Sequence, residues 1–280
     1  MSPLWRDRIQ VFFAPDRVVL VRSYKGIKPK PAMRLSVECG HKPGGAAWES
    51  PLAQLEQMIA DAEGGGVIIT LSNHLIRYAV LASQKNIANP AELQAYAGFH
   101  MREVFGERAM EWMISVSTWD PRSGGVCAAM ERSLFERLEE LAAHRKIRLQ
   151  YVEPYLTAAF DRWHNRFDER RAWFALVETG RLCLALLENG EWRRISNQRI
   201  VHDVEDELLA TLDQEAILFS GRKEASETVY VFAPEHPELI LPEDCGWRVT
   251  SLHTDDMPAP PHYPSAAIVP AGINECAASG

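Results

Sequence analysis

Two short turns carry residues that could take part in phosphate chemistry. The first is Ala14-Pro15-Asp16-Arg17, between two runs of β-branched and aromatic residues, and the second is Glu178-Thr179-Gly180. Main-chain N–H groups in tight turns can bind phosphate oxygens, and a carboxylate can hold a metal ion with its water. Each turn carries one carboxylate that could take part in such chemistry.

Both turns are incomplete for this role. The first has no glycine, and Pro15 has no N–H group to donate. The second keeps Gly180 but has Glu178 in place of aspartate, and the longer side chain would displace a metal-bound water. Ordinary hairpin turns explain Asp16 and the Thr179-Gly180 pair without any ligand. We therefore expect no catalytic residue, no metal and no other cofactor; ATP with magnesium at Asp16 and Glu178 is the disfavoured alternative.

The composition narrows the classes of partner and compartment. The net charge is −8, so a phosphate backbone or an anionic lipid surface would be repelled, and neither nucleic acid nor direct membrane insertion is expected. The five cysteines stand far apart without a C-x-x-C pair, which is typical of reduced thiols in a cytosolic protein. A charged N-terminus and the absence of a long apolar run predict a cytoplasmic protein.

The elements that would position the two turns form a repeated pattern. Strands at 9–13, 18–24 and 33–37, a helix opened by Ser50-Pro51 with Ser50 as its predicted N-cap, and a strand at 67–71 give the order β-β-β-α-β. The same order returns with strands at 172–178, 181–188 and 191–200, a helix at about 203–220 and a strand at 228–233, followed by one more at 247–252. The duplication predicts two related lobes of α/β architecture.

Several segments lie between and after the two copies. Asn89-Pro90 with Glu92, and Ser133 with Glu136, predict capping boxes at two further helices. Strands are expected at 75–81, 112–118, 126–131 and 148–152, and Glu153-Pro154 leads into another helix. The run 168–171 is the expected junction, which divides the chain into lobes at 1–168 and 169–256. The proline-rich stretch 257–280 predicts a disordered tail.

Three segments resemble a known group of proteins. Leu71–Leu81 is similar to the strand pair that enters the inserted subdomain of type IV pilus PilM proteins and of the cytoplasmic domain of the type II secretion protein GspL. Val126–Glu131 resembles their strand of small apolar residues, and Ser133–Arg145 the following helix. Glu153-Pro154 with Ala158, Ala159 and Arg162 resembles the acidic residue and alanine-rich helix that close their first lobe.

The resemblance covers about residues 8–252 in order, and it carries implications for fold and function. It implies a two-lobed actin-like (ribonuclease H-like) fold with a subdomain inserted in the first lobe at about 73–147. It also implies a non-catalytic cytosolic adaptor of a type IV pilus or type II secretion-like assembly platform. The implied partner is an inner-membrane protein or its cytoplasmic peptide, with a secretion ATPase as a further partner, so the adaptor would lie at the inner membrane through that partner.

Two alternatives to a silent adaptor stay open. One is an active ATPase or phosphotransferase of the same fold, with Asp16 and Glu178 as metal-side carboxylates. Ile217–Gly221 imitates the approach to an adenosine-binding loop of such an enzyme, although a continuing helix also explains it. The other is an acidic two-lobed protein with an unrelated binding role.

Eight tryptophans are more than a core of this size requires. Trp119, Trp163 and Trp192 are candidates for a partner surface, because aromatic residues often anchor interfaces. Packing of these rings between the lobes is the alternative that the sequence leaves open.

Overall fold

The structure is a computed structural model that describes residues 8–24, 31–40, 42–62, 65–167, 169–220 and 227–253. The predicted tail at 257–280 lies outside the described residues, as does Asp168 of the predicted junction. Among the helices of the described ranges, none combines the length and the apolar character needed to cross a bilayer.

The elements follow the predicted order closely. The first half contains β1 (Arg8–Phe13), β2 (Arg17–Ser23), β3 (Met33–Glu38), α1 (Glu49–Met58), β4 (Gly66–Leu71), β5 (Arg77–Leu81), α2 (Pro90–Phe105), β6 (Trp112–Asp120), β7 (Gly124–Glu131), α3 (Arg132–His144), β8 (Arg148–Pro154) and α4 (Tyr155–Trp163). The second half contains β9 (Arg171–Glu178), β10 (Arg181–Glu188), β11 (Glu191–Arg199), α5 (Val204–Ser220), β12 (Thr228–Phe232) and β13 (Arg248–Leu252). The repeated β-β-β-α-β order is confirmed.

The two copies build two five-stranded sheets of the same topology. The first sheet has the strand order β3-β2-β1-β4-β8, and the second has the order β11-β10-β9-β12-β13. In each sheet the first three strands of this order are antiparallel to their neighbours. The remaining two strands run parallel to β1 in the first sheet and to β9 in the second. The β1–β2 and β9–β10 hairpins therefore hold equivalent positions, and each carries one of the two candidate turns.

Burial differs between the two sheets, and the sequence shows why. In β1 and β2 buried residues such as Val11 and Leu20 alternate with half-buried ones such as Phe12 and Val19, so one face of the first sheet packs in the core. In contrast β9, β10 and β12 are buried almost without interruption, as expected for strands covered on both faces.

The helix α5 covers one face of the second sheet. Leu208, Leu212 and Ala216 pack there against strand residues such as Leu184 and Val229. The opposite face belongs to the same apolar cluster as the first lobe, so one core runs through both lobes. The helical interpretation of Ile217 and the residues before it is confirmed, while Gly221 lies outside the described residues.

The insertion is a small unit with its own apolar centre. A three-stranded sheet in the order β5-β7-β6 packs against α2 through Leu81, Met101 and Cys127. The helix α3 follows β7, but its buried residues belong to the core of the first lobe. The elements of the insertion thus span 77–131, a narrower range than 73–147.

The observed N-termini of the helices show that two predicted caps are wrong and that a third is right. Helix α1 begins at Glu49 with Trp48 as its N-cap, and α3 begins at Arg132 with Glu131 as its N-cap, both without a side-chain capping bond. Ser50 and Ser133 lie inside these helices, so the caps predicted at both serines are wrong. At α2 the cap at Asn89 is confirmed, because its Oδ1 accepts the Glu92 N–H at 3.0 Å, while the Glu92 side chain accepts from the Ala88 N–H at 2.7 Å.

Candidate functional site

The first turn is closed by its own main chain. The Ala14 N–H donates to the Arg17 carbonyl at 3.0 Å, and the Asp16 carbonyl accepts from the Cys39 N–H at 2.6 Å. The Asp16 side chain is exposed. The main-chain hydrogen bonds of this turn are therefore those of an ordinary hairpin. The Arg17 guanidinium points from the turn towards the second lobe.

The second turn is a two-residue connection between β9 and β10. Glu178 and Arg181 face each other at the end of the ladder, which leaves Thr179 and Gly180 in the loop. Gly180 has a φ of +70°, a left-handed conformation that favours glycine over residues with a side chain. The Gly180 carbonyl accepts the Ile200 N–H at 3.1 Å, so the turn is also tied to the end of β11.

Glu178 is enclosed by the first lobe instead of facing solvent. Glu178 is only 2% exposed, and its Oε2 accepts a hydrogen bond from the Asn73 N–H at 3.0 Å. Burial raises the pKa of Glu178 to about 7, against hydrogen bonds from the Ser72 hydroxyl and from Asn73 that favour the carboxylate. The Glu178 carboxyl is therefore engaged by the loop after β4, in a network between the lobes.

Asn73 is the centre of a buried hydrogen-bond network between the lobes. Its Oδ1 accepts from the Tyr78 hydroxyl at 2.6 Å and from the Leu156 N–H at 3.3 Å. Its carbonyl accepts from the Asn197 side-chain amide at 2.9 Å, and the same amide donates to the Ile76 carbonyl at 3.0 Å. The loop after β4 is thereby fixed to β11 of the second lobe.

A carboxylate far away in sequence connects the two turns. Glu235, three residues after β12, accepts at Oε2 from the Thr179 N–H and from the Thr179 hydroxyl, both at 2.7 Å. Its Oε1 pairs with the Arg17 guanidinium. The His74 ring lies beside them, with Nε2 3.0 Å from the Thr179 carbonyl, and burial lowers the pKa of this histidine. Sequence reasoning missed Glu235, because nothing in its local pattern relates it to residue 17.

A cleft opens beside this connection. It has a volume of about 540 Å³ and lies between the half-buried face of the first sheet, α4 and the end of β12. Its apolar lining includes Phe12, Val19, Val21, Tyr155, Ala158 and Phe232. The Phe12 and Tyr155 rings meet edge to face at a centroid distance of 4.9 Å. The floor of the cleft is thus lined by apolar side chains.

Charged groups of both signs border the same cleft. Arg17, Arg34 and Arg162 supply positive charge, and Glu153 and Glu235 supply carboxyl groups. The Thr70 hydroxyl donates to Glu153 Oε1 at 2.8 Å, and burial raises the pKa of Glu153. Within the described ranges, no group of three or more His, Cys, Asp or Glu side chains is placed to hold a metal ion.

The three candidate tryptophans do not form one surface. Trp163 is 0% exposed and Trp192 is 8% exposed, and their rings pack against Phe232 and Phe160 at 5.8 Å and 4.6 Å. The partner-surface prediction is therefore wrong for these two residues, because their side chains fill the core between the lobes. Trp119 is half-buried on the insertion, beside Tyr96, and stays a prediction.

The chain matches no family model and no curated protein sequence. It is similar to solved structures at low identity. A PilM–PilN type IV pilus biogenesis complex has a chain with a TM-score of 0.64 and 12% identity, covering 90% of this chain and 89% of that one.

Two further structures have the same architecture. The cytoplasmic domain of EpsL, an inner membrane component of the type II secretion system of Vibrio cholerae, has a TM-score of 0.52 and 13% identity, covering 88% of this chain and 90% of that one. A Bacteroides thetaiotaomicron protein with an actin-like ATPase fold has a TM-score of 0.55 and 10% identity, covering 82% of each chain. The predicted two-lobed actin-like fold is confirmed.

Proposed function

We propose, from the actin-like fold that the chain shares with PilM and with the cytoplasmic domain of EpsL, that it is a non-catalytic adaptor of an envelope-spanning assembly platform. The platform would be of the type IV pilus or type II secretion kind. The adaptor would bind a cytoplasmic peptide of a membrane-anchored partner in the cleft between the lobes. It would then lie on the cytoplasmic side of the inner membrane, held by that partner, and a secretion ATPase is a further candidate partner.

The observation that carries the proposal is the contrast between the turns and the cleft. The Thr179 N–H and hydroxyl, which an anionic ligand would need, already bind Glu235, and the Glu178 carboxylate is enclosed by Asn73. The adjoining cleft is open, with apolar walls and charges of both signs at its border. A peptide can place apolar side chains on such a floor and pair its charged groups with the arginines and glutamates around it.

The alternative of an ATPase or phosphotransferase has less support from the same residues. It would need carboxylates at both turns to face a metal ion in the cleft. Asp16 is exposed, but Glu178 points into a buried network between the lobes. The adaptor proposal therefore predicts that magnesium-ATP at millimolar concentration leaves the melting temperature of the chain unchanged.

Blocking the cleft tests the adaptor proposal. Ala158 lies on α4 and lines the cleft, so Ala158→Arg would place a long charged side chain where the peptide should bind. We expect the tagged wild-type protein to co-purify from its native host with an inner-membrane protein that has a short cytoplasmic segment. A synthetic peptide of that segment should bind the wild-type chain and bind the variant at least about tenfold more weakly, a loss of about 1.4 kcal/mol.

The matched control is Ala143→Arg on the exposed side of α3, away from the cleft. It adds the same side chain to another helix and should bind the peptide like the wild type. Equal binding by the Ala158→Arg variant would remove the cleft as the peptide site. Recovery of no envelope-assembly protein in the co-purification would count against the adaptor itself.

A further inference from the structure

The Glu235 carboxylate is bound in the way that a protein site binds an anionic ligand. Three hydrogen-bond donors from two separate turns converge on its two carboxylate oxygens: the Arg17 guanidinium, the Thr179 N–H and the Thr179 hydroxyl. Arg17 belongs to the first lobe and Thr179 to the second, and Glu235 is separated from them by 218 and 56 positions in sequence. Thr179 and Glu235 both belong to the second lobe, and Arg17 meets them only because the two lobes pack against each other.

Donor groups of these three types commonly bind anions in proteins. A guanidinium, a main-chain N–H of a turn and a hydroxyl match the oxygens of a carboxylate or of a phosphate. The side chains of Arg17 and Glu235 are 25% and 13% exposed, so the pair is partly withdrawn from water. Burial acts to raise the pKa of Glu235, but the hydrogen bonds from Thr179 and Arg17 outweigh it and hold that pKa below its ordinary value.

The arrangement differs from an ordinary surface ion pair, which joins one cation to one carboxylate and contributes little. Removal of Glu235 leaves a guanidinium and a main-chain N–H facing the same small volume at the border of the cleft. Thr179 is exposed, so water can reach its N–H, but the positive charge of Arg17 at the same point favours an anion over water.

We propose that Arg17 and Thr179 form an anion-binding site between the lobes, and that the chain's own Glu235 is its resident ligand. The tethered carboxylate keeps external phosphate and carboxylate groups out and joins the first lobe to the second. Without it, the site takes a small anion of either chemistry from solution. This inference concerns the site at the turns and does not depend on the peptide proposed for the cleft.

Chemical rescue by small anions tests the proposal. Glu235→Ala should lower the melting temperature, and pyrophosphate, phosphate or acetate should restore it by a saturable few degrees beyond the effect of sodium chloride at equal ionic strength. The wild-type chain should show no such rise, because Glu235 already fills the site. Comparison of phosphate with acetate tells which of the two chemistries the site prefers.

Three companion variants make the result decisive. The double variant Arg17→Ala/Glu235→Ala should lose the rescue, because the guanidinium is gone. Glu238→Gln removes a nearby carboxylate with a 75% exposed side chain and should behave like the wild type. Should Glu235→Ala fail to fold, Glu235→Thr keeps part of the side chain while it leaves room for an anion, and phosphate should still stabilise it through Arg17. A folded Glu235 variant that gains no anion response beyond that of the wild type would overturn the proposal.

Discussion

Two glutamates on either side of Thr179 have opposite electrostatic surroundings. Burial raises the pKa of Glu178 to about 7, whereas hydrogen bonds from Thr179 and Arg17 hold the pKa of Glu235 below its ordinary value despite burial. The charge of Glu235 is itself one of the causes that raise the pKa of Glu178. One carboxylate between the turns therefore favours the neutral form of the other.

Glu178 should make the stability of the chain depend on pH. Its pKa rises from 4.5 to about 7 on folding, so the folded state binds the proton more tightly than the unfolded state. The resulting stability is complete below pH 4.5 and is lost as the pH rises towards 7. Glu178→Gln removes this titration, so the unfolding free energy of the variant relative to the wild type should rise by up to about 3 kcal/mol over that range.

Chemical denaturation at a series of pH values measures this difference. Glu243→Gln, which replaces an exposed carboxyl in the same lobe, is the matched control. If the unfolding free energy of Glu178→Gln relative to the wild type does not change with pH, the Glu178 carboxyl titrates in the folded protein as it does in the unfolded chain.

At the residue scale, the sequence located the turns but not their connection. The two hairpins could be found because Pro15, Asp16 and Gly180 are local turn signals. Glu235 could not, because its role depends on a contact with Arg17 that exists only after both lobes have folded. For the same reason the position of Glu178 in the chain did not reveal that Asn73 would enclose it.

At the scale of elements, residue composition was a better guide than capping patterns. The strands were found because β-branched and aromatic residues are frequent in β1 and β2, and apolar residues run almost without interruption in β9 and β10. The caps were less reliable, since a Ser-x-x-Glu pattern does not fix where a helix starts. At α3 the helix begins one residue before Ser133, and that serine makes no capping bond.

The two candidate caps predict different costs for similar substitutions. Asn89→Ala removes the acceptor for the Glu92 N–H at the start of α2, and it should lower stability by about 1 kcal/mol. Ser133→Ala, inside α3, should change stability by no more than a few tenths of a kcal/mol. Urea denaturation of both variants measures the difference, with hydrogen exchange at the first turn of α2 as a local readout.

The comparison also tests the helix boundaries directly. A large loss of stability in the serine variant would restore the cap predicted from the sequence at Ser133. A negligible loss in the asparagine variant would mean that Glu92 supports the turn alone, through its bond from the Ala88 N–H at 2.7 Å.

At the scale of the whole molecule, the duplication was visible in the sequence but the packing of the lobes was not. Each β-β-β-α-β unit has its own local signals, so both sheets could be predicted. The rings that fill the space between them, Trp163 and Trp192, have no local pattern that separates a core residue from a surface anchor. Burial decided between the two interpretations because both side chains pack against aromatic neighbours from the core.

A core that runs through both lobes predicts that they unfold together. Trp163, at the end of α4, packs against Phe232 of the second lobe and is fully buried. Trp163→Ala should therefore destabilise the chain by about 3–5 kcal/mol and speed hydrogen exchange in β1 and β9 alike. Trp247→Ala, in the separate cluster under α5, is the comparison and should affect β9 more than β1. Unchanged exchange in either lobe of the Trp163 variant would show that the lobes are stable independently, and that the Glu235 connection then joins two units that fold alone.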